Sequence, residues 1–262
     1  MSYIRTQPMP ALFVGHGSPM NAIEDNEFSR SWAELGKALP RPRGVLCISA
    51  HWETHGIYLT GAAQPETIHD FYGFPTELFA VRYPAPGDPQ LASRIAQRLG
   101  AFSAQVDTGR GLDHGAWSVL RVMYPAADIP VMQLSLDANR AGQEHYALGQ
   151  SLGYLRDEGI LLLASGNIVH NLGLFRFHSA EQPAWALRFR QLVNRHIEHR
   201  DHQALWHFTR LGADAELAIP TPEHYLPLLY ALAVQRPGDR IRLFNDQVIS
   251  AISMTSIVLE MG

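Results

Sequence analysis

Five histidines spread along the chain each sit in a short frame of Gly, Pro, Asn or aromatic residues. They are Gly15-His16-Gly17-Ser18-Pro19, Ser49-Ala50-His51-Trp52, Asp113-His114-Gly115, Gly166-Asn167-Ile168-Val169-His170-Asn171 and Thr221-Pro222-Glu223-His224-Tyr225. Imidazole is the commonest protein metal ligand and the usual proton carrier near neutral pH, so the set points to one metal-centred active site assembled from distant segments. Two glycines and a proline around His16 permit a sharp turn and close backbone approach to a bound group, a costly frame for a surface ring. His51 and His55 would share an ion only on a helix. In an extended segment four residues span about 13 Å, so His51 alone is the candidate and His55 is read as part of a solvated turn.

His114 precedes a helical pattern that starts at Ala116. The positive end of a helix favours a neutral ring able to accept a proton or to hydrogen-bond a substrate oxygen, and the competing reading is a plain helix cap by Asp113. His170 is flanked by Asn167 and Asn171, whose amides can fix its tautomer or orient a substrate. Glu223 and His224 both suit a divalent ion. His224 is preferred, in the first turn of a helix opened by Thr221 and Pro222, because Glu223 has a ready place at the positive helix end. The densest group, His196, His199, His202 and His207, lies among Arg195, Glu198, Arg200 and Asp201 and reads as a solvated helix surface. His69, in the aromatic loop 67–75, suits a pocket wall or core packing equally well.

These side chains need a scaffold, and the hydrophobic pattern supplies one. Apolar runs at 11–14, 44–49, 57–60, 131–135 and 160–165 have strand length and alternate with helical periodicity at 27–39, 89–99, 116–124, 143–158, 183–200 and 222–234. Residues 240–244 and 252–260 read as two more strands able to pair as a hairpin. The pattern predicts an α/β fold, a single domain over residues 1–262 with a central mostly parallel or mixed sheet flanked by helices. In open α/β sheets ligands gather beyond the carboxyl ends of strands, where His16, His51 and His170 fall.

The chain has 262 residues and a formal charge of -4, from 21 Lys and Arg against 25 Asp and Glu, with no basic run suited to a phosphate backbone. Nucleic acid is therefore not expected as a partner. No segment approaches the roughly 20 apolar residues of a membrane span, and residues 1–10 lack a signal-peptide run, so the expectation is a cytoplasmic protein without a membrane partner. Cys47 is the single cysteine, which excludes internal disulfides and Cys-rich metal clusters, and its apolar neighbours mark it as a buried strand residue.

Taken in order, Gly15-His16-Gly17-Ser18-Pro19-Met20, Ser49-Ala50-His51-Trp52, Ile68-His69-Asp70-Phe71, Asp113-His114-Gly115, Ser165-Gly166-Asn167 with His170-Asn171-Leu172, and Thr221-Pro222-Glu223-His224-Tyr225-Leu226-Pro227-Leu228 resemble the DOPA-type class III extradiol ring-cleaving dioxygenases. The resemblance implies a mononuclear non-haem Fe(II) and the opening of a catechol ring, such as that of L-DOPA, by O2. It places His16, His51 and His224 at the metal, His170 as a fourth ligand or as the acid/base beside it, and His114 on the substrate. Relatives with a two-His, one-carboxylate site offer Glu where this chain offers His224, and an all-histidine site also suits Zn(II). Trp52, Phe71, Tyr72 and Trp117 are candidates for a dry aromatic wall. The alternative is a zinc-dependent hydrolase using the same histidines to activate water, although no His-Glu-x-x-His helix is present. A third reading is a binding protein without activity. Serine catalysis is disfavoured because no Gly-x-Ser-x-Gly elbow occurs.

Overall fold

The central strands are apolar runs buried on both faces. The computed structural model describes residues 7–177 and 181–262, so residues 1–6 of the N-terminal reading lie outside the described residues. Its strands are β1 (Ala11–Gly15), β2 (Gly44–Thr54), β3 (Tyr58–Thr60), β4 (Gln105–Asp107), β5 (Val131–Asp137), β6 (Ile160–Gly166), β7 (Asp239–Phe244), β8 (Val248–Ile249), β9 (Ile252–Ser253) and β10 (Ser256–Met261). Eight of them make one mixed sheet in the order β4-β3-β5-β2-β6-β1-β10-β7. The four middle strands, β5-β2-β6-β1, are mutually parallel and antiparallel pairings lie outside them, which fits the expected architecture.

Helices cover both faces, as a buried parallel sheet requires. They are α1 (Glu27–Ala38), α2 (Thr76–Phe79), α3 (Pro89–Arg98), α4 (His114–Met123), α5 (Gly142–Gln150), α6 (Ala184–Glu198), α7 (His202–Trp206), α8 (Ala213–Ala218) and α9 (Leu226–Ala233). Because side chains alternate along a strand, Phe13, Leu46, Ile48 and Leu134 join α3, α5, α6 and α9 in one core. Leu12, Val14, Val45, Cys47 and Leu163 join α1 and α4 in the other. Cys47 is fully buried, as expected, and burial raises its thiol pKa well above the ordinary value.

Several boundaries differ from the sequence reading. The expected helix over 143–158 ends at Gln150 and resumes only as a short turn at Gly153–Arg156. Gly149 packs against the Tyr230 backbone, where a Cβ would fall 3.1 Å from its Cα, and favours close helix contact over helix length. The terminal hairpin is β7 with β10. Residues 252–253 pair instead with β8 in a separate small hairpin.

His224 is not in the first helical turn but in the turn preceding α9. Its carbonyl accepts the Asn167 N–H at 2.8 Å, just past β6, and Thr221 does not cap the helix because its hydroxyl bonds Glu223. His51 lies inside β2 and not after it. Between Ile48 and Glu53 the pairing with β5 slips, and the irregular stretch turns His51 toward the end of the sheet.

Candidate metal centre

The segments that carry the histidines can meet because small residues let their backbones touch. Gly15 and Gly166 are partners in the β1/β6 pairing. A Cβ on Gly15 would fall 2.6 Å from the Met254 carbonyl carbon, and one on Gly166 would fall 2.2 Å from the His224 carbonyl oxygen. Gly17 has φ +57°, the left-handed conformation that completes the turn behind His16.

His16, His51 and His224 thereby come together with one ring nitrogen each, all within 4.8 Å of one another. His16 and His51 face each other through Nε2 atoms 3.1 Å apart. In each ring the other nitrogen has an acceptor behind it. His16 Nδ1 donates to Ser165 Oγ at 2.9 Å, whose own proton goes to the Gly115 carbonyl at 2.6 Å. His224 Nδ1 donates to Glu223 Oε1 at 3.0 Å, and His51 Nδ1 lies 3.5 Å from Asp70 Oδ2. These partners place the protons on Nδ1 and leave three Nε2 lone pairs converging. His224 Nε2 is buried with no hydrogen-bond partner.

Converging lone pairs repel unless a cation lies between them. Nitrogens bonded to one ion at ~2.1 Å lie ~3.0 Å apart at a right angle and ~3.4 Å apart at the tetrahedral angle. The 3.1 Å separation falls inside that range, so the residues fit a divalent metal. The rings are also in the right protonation state. Burial, followed by the charges of neighbouring histidines, holds the pKa values of His16 and His51 well below normal. Burial lowers that of His224 against the opposing pull of Glu223. Glu223 itself, despite a desolvation that works the other way, is held down to about 2, with the hydrogen bond from the His224 ring as the leading cause.

His114 and His170 flank this group. His114, buried, is the first residue of α4, and Asp113 caps that helix by accepting the Ala116 N–H, so the cap is realised while the ring lies beside the histidine group. The His114 ring lies 3.8 Å from that of His51, centroid to centroid. Its backbone N–H donates to Asp70 Oδ1 at 2.9 Å, and its Nδ1 sits 3.0 Å from the same oxygen, off the ideal line. His170 lies flat on His224, with centroids 3.4 Å apart and planes 7° from parallel. Burial, then the neighbouring His224, lowers its pKa to about 3.

Of the expected aromatic wall, Phe71 stands edge-on to His114 at 5.5 Å and Trp117 lies beside Phe71 at 6.1 Å. Tyr72 is 92% exposed and Trp52 is buried beside the Arg110 guanidinium, so neither takes that place. His69 belongs to the wall's outer layer, its Nε2 donating to the Val81 carbonyl and its ring against Phe71 and Trp117. His55 is exposed beside Asn139, as expected. Sequence reasoning gave no role to Ser165 or Asp70, and for Asp113 it saw the helix cap but not the buried contacts with Gln133 and Ser49 behind His51 and His114. Ser165 and Asp70 stand inside motifs that carry the resemblance, but their partners are 149 and 44 residues away in the chain.

Residues 9–249 match the family described as the catalytic LigB subunit of aromatic ring-opening dioxygenase. A 4,5-DOPA dioxygenase extradiol of Escherichia coli (strain K12) is 47% identical over 95% of this chain and 94% of its own length. The protein of the same name from Beta vulgaris is 38% identical over 89% and 90%. The crystal structure of Escherichia coli K12 protein JW3007 superposes with a TM-score of 0.85 at 40% identity, covering 97% of this chain and all 100% of that one.

Proposed function

The chain belongs to the family of the catalytic LigB subunit of aromatic ring-opening dioxygenase and is an extradiol ring-opening enzyme; we propose that it opens a catechol such as L-DOPA at a centre held by His16, His51 and His224. The observation that carries this reading is the facing pair of Nε2 atoms 3.1 Å apart, backed on the Nδ1 side by Ser165 and Asp70. When bound, the divalent ion, Fe(II) for oxygenation and Zn(II) as a chemically suitable occupant, acidifies the catechol and provides the place where it meets O2.

The protein's own residues do the rest. His114 reaches the substrate side of the centre, where its Nε2 takes the second hydroxyl proton and returns it during ring opening. His170, stacked face to face on His224, lies with Glu223 and His224 in a second group whose ligand-type atoms fall within 4.8 Å of one another. It is proposed either as a fourth ligand at the centre or as a second hydrogen-bonding or proton-holding group beside the substrate. Phe71 and Trp117 exclude water from one side and favour a flat aromatic ring.

The names of the relatives support L-DOPA among catechols and lend nothing to the zinc-hydrolase alternative. Adding L-DOPA without oxygen to the Fe(II)-loaded protein is expected to produce catecholate absorption, and admitting air a yellow ring-opened product. An unchanged spectrum and no product from L-DOPA or simpler catechols would defeat the reading and leave a binding protein without activity.

A further inference from the structure

We infer that Asp70 is a positioning residue whose single carboxylate orients two histidines of different duty, His51 at the proposed metal and His114 at the substrate. This rests on the proposed function and deepens it. Oδ2 lies 3.5 Å from His51 Nδ1, while Oδ1 accepts the His114 backbone N–H at 2.9 Å and lies 3.0 Å from His114 Nδ1. The three side chains form a cluster of their own, with ligand-type atoms within 4.8 Å. The carboxylate lies behind both Nδ1 atoms, off the hydrogen-bond line of His114, and its negative charge favours a proton on that side, with Nε2 as the acceptor on the other. For His51 that nitrogen faces His16, and for His114 it is the atom assigned to the substrate proton.

The position of Asp70 is fixed by backbone and not by its own reach. Residues 66–68 pair in parallel with the strand-like stretch at Leu112, through Leu112 N–H to Glu66 O at 2.7 Å and Ile68 N–H to Leu112 O at 2.8 Å. Trp117 Nε1 donates to Ile68 O at 2.7 Å, tying the same stretch to α4. Gly111 makes the approach possible, since a Cβ there would fall 2.3 Å from Glu66 O. On the far side Phe71 stands against the His114 ring, so Asp70 and Phe71 bracket one imidazole from adjacent positions of the chain.

Asp70→Asn is the informative change, because an amide oxygen still accepts the His114 backbone N–H while the carboxylate charge is lost. Two readouts are needed, both on protein shown to be folded by circular dichroism. Zn(II) affinity measured by chelator competition is expected to weaken about tenfold, the lower end for loss of an outer partner of a ligand, given the long His51 contact. Turnover of the Fe(II)-loaded variant is expected to fall about a hundredfold or more, and combining it with His114→Ala should cost no more than His114→Ala alone within about twofold. Unchanged Zn(II) affinity, or losses that multiply in the double variant, would overturn the inference, since Asp70 would then not act through these rings. Full turnover in His114→Ala alone would instead remove the assignment of His114, a distinct failure of the proposed function.

Discussion

Two histidine-rich regions of this molecule, one dense along a helix and one scattered among Gly- and Pro-framed turns, differ in space as their neighbours in the sequence suggest. Along α6 and α7, His196, His199 and His202 crowd within seven residues, and each Nδ1 has a partner: Asp201, the Arg195 carbonyl and the Tyr146 hydroxyl. At the end of the parallel strands, His16, His51 and His224 also have partnered Nδ1 atoms, yet there the opposite nitrogens converge within 4.8 Å. Among the described residues no such group includes a histidine of α6 or α7. On α6 and α7 the three rings turn to separate partners, whereas strand ends and turns from separate segments can aim inward at one point. Convergence of lone pairs, not density of imidazole, therefore distinguishes a site from a surface.

His145 sharpens the contrast. It is fully buried, shares a 2.8 Å hydrogen bond with the Tyr230 hydroxyl, and has an unpartnered Nε2, but among the described residues it belongs to no group of three or more ligand-type side chains. Burial lowers its pKa to about 4. It is a neutral core histidine and nothing more.

The comparison can be broken most directly at His51. His51→Ala is expected to abolish metal retention and turnover, and elemental analysis showing a full complement of metal in the purified variant would erase the distinction between the two regions. His114→Ala should keep its metal while losing turnover by roughly 10²–10⁴-fold, the range for a positioned proton carrier, as read by metal content beside steady-state rates. Ser165→Ala removes the partner of His16 Nδ1 and is expected to weaken Zn(II) binding about 10–100-fold in chelator competition. A fall smaller than twofold would mean that the His16 ring is oriented by packing alone.

His145 gives a pH test on stability. Its folded pKa lies below the ordinary histidine value, so the unfolded chain takes up the proton first as pH falls. The stabilising contribution of the neutral ring is whole above about pH 6.5 and drains away toward pH 4, on the order of 2–3 kcal/mol in all. The urea midpoint should therefore drop more between pH 7.5 and pH 5 in the native protein than in His145→Asn, and parallel drops would contradict this. The smallest effect belongs to the surface region. His199→Ala should leave metal content and rate unchanged and stability within about 0.5 kcal/mol, and a measurable loss of metal would revive that cluster as a site.

Much of the scaffold was legible because its signals are local. The runs ending near Val14, Ser49, Ser135 and Ser165 are apolar on both faces, and that alone predicts the buried parallel centre of the sheet. The edge strand β4, three residues long and partly exposed, and the short helices α7 and α8 carry too few residues for a period to show. His224 was read into a helix because Thr221-Pro222 resembles a helix opening. A hydrogen bond from Asn167, 57 residues earlier, takes the carbonyl that a helix would have used.

By itself, then, the sequence determined which imidazoles sit in frames that permit tight turns, that strands and helices alternate, and which family the ordered motifs resemble. These depend on neighbours in the chain. Tertiary structure decided that His16, His51 and His224 bring ring nitrogens within 4.8 Å of one another, that His170 stacks on His224, that Tyr72 and Trp52 stay out of the wall, and that Ser165, Glu223 and Asp70 stand behind the rings. The physical reason is that a hydrogen bond or a shared ion depends on separation in space of about 3 Å, and covalent order sets that distance only for residues already adjacent along the chain.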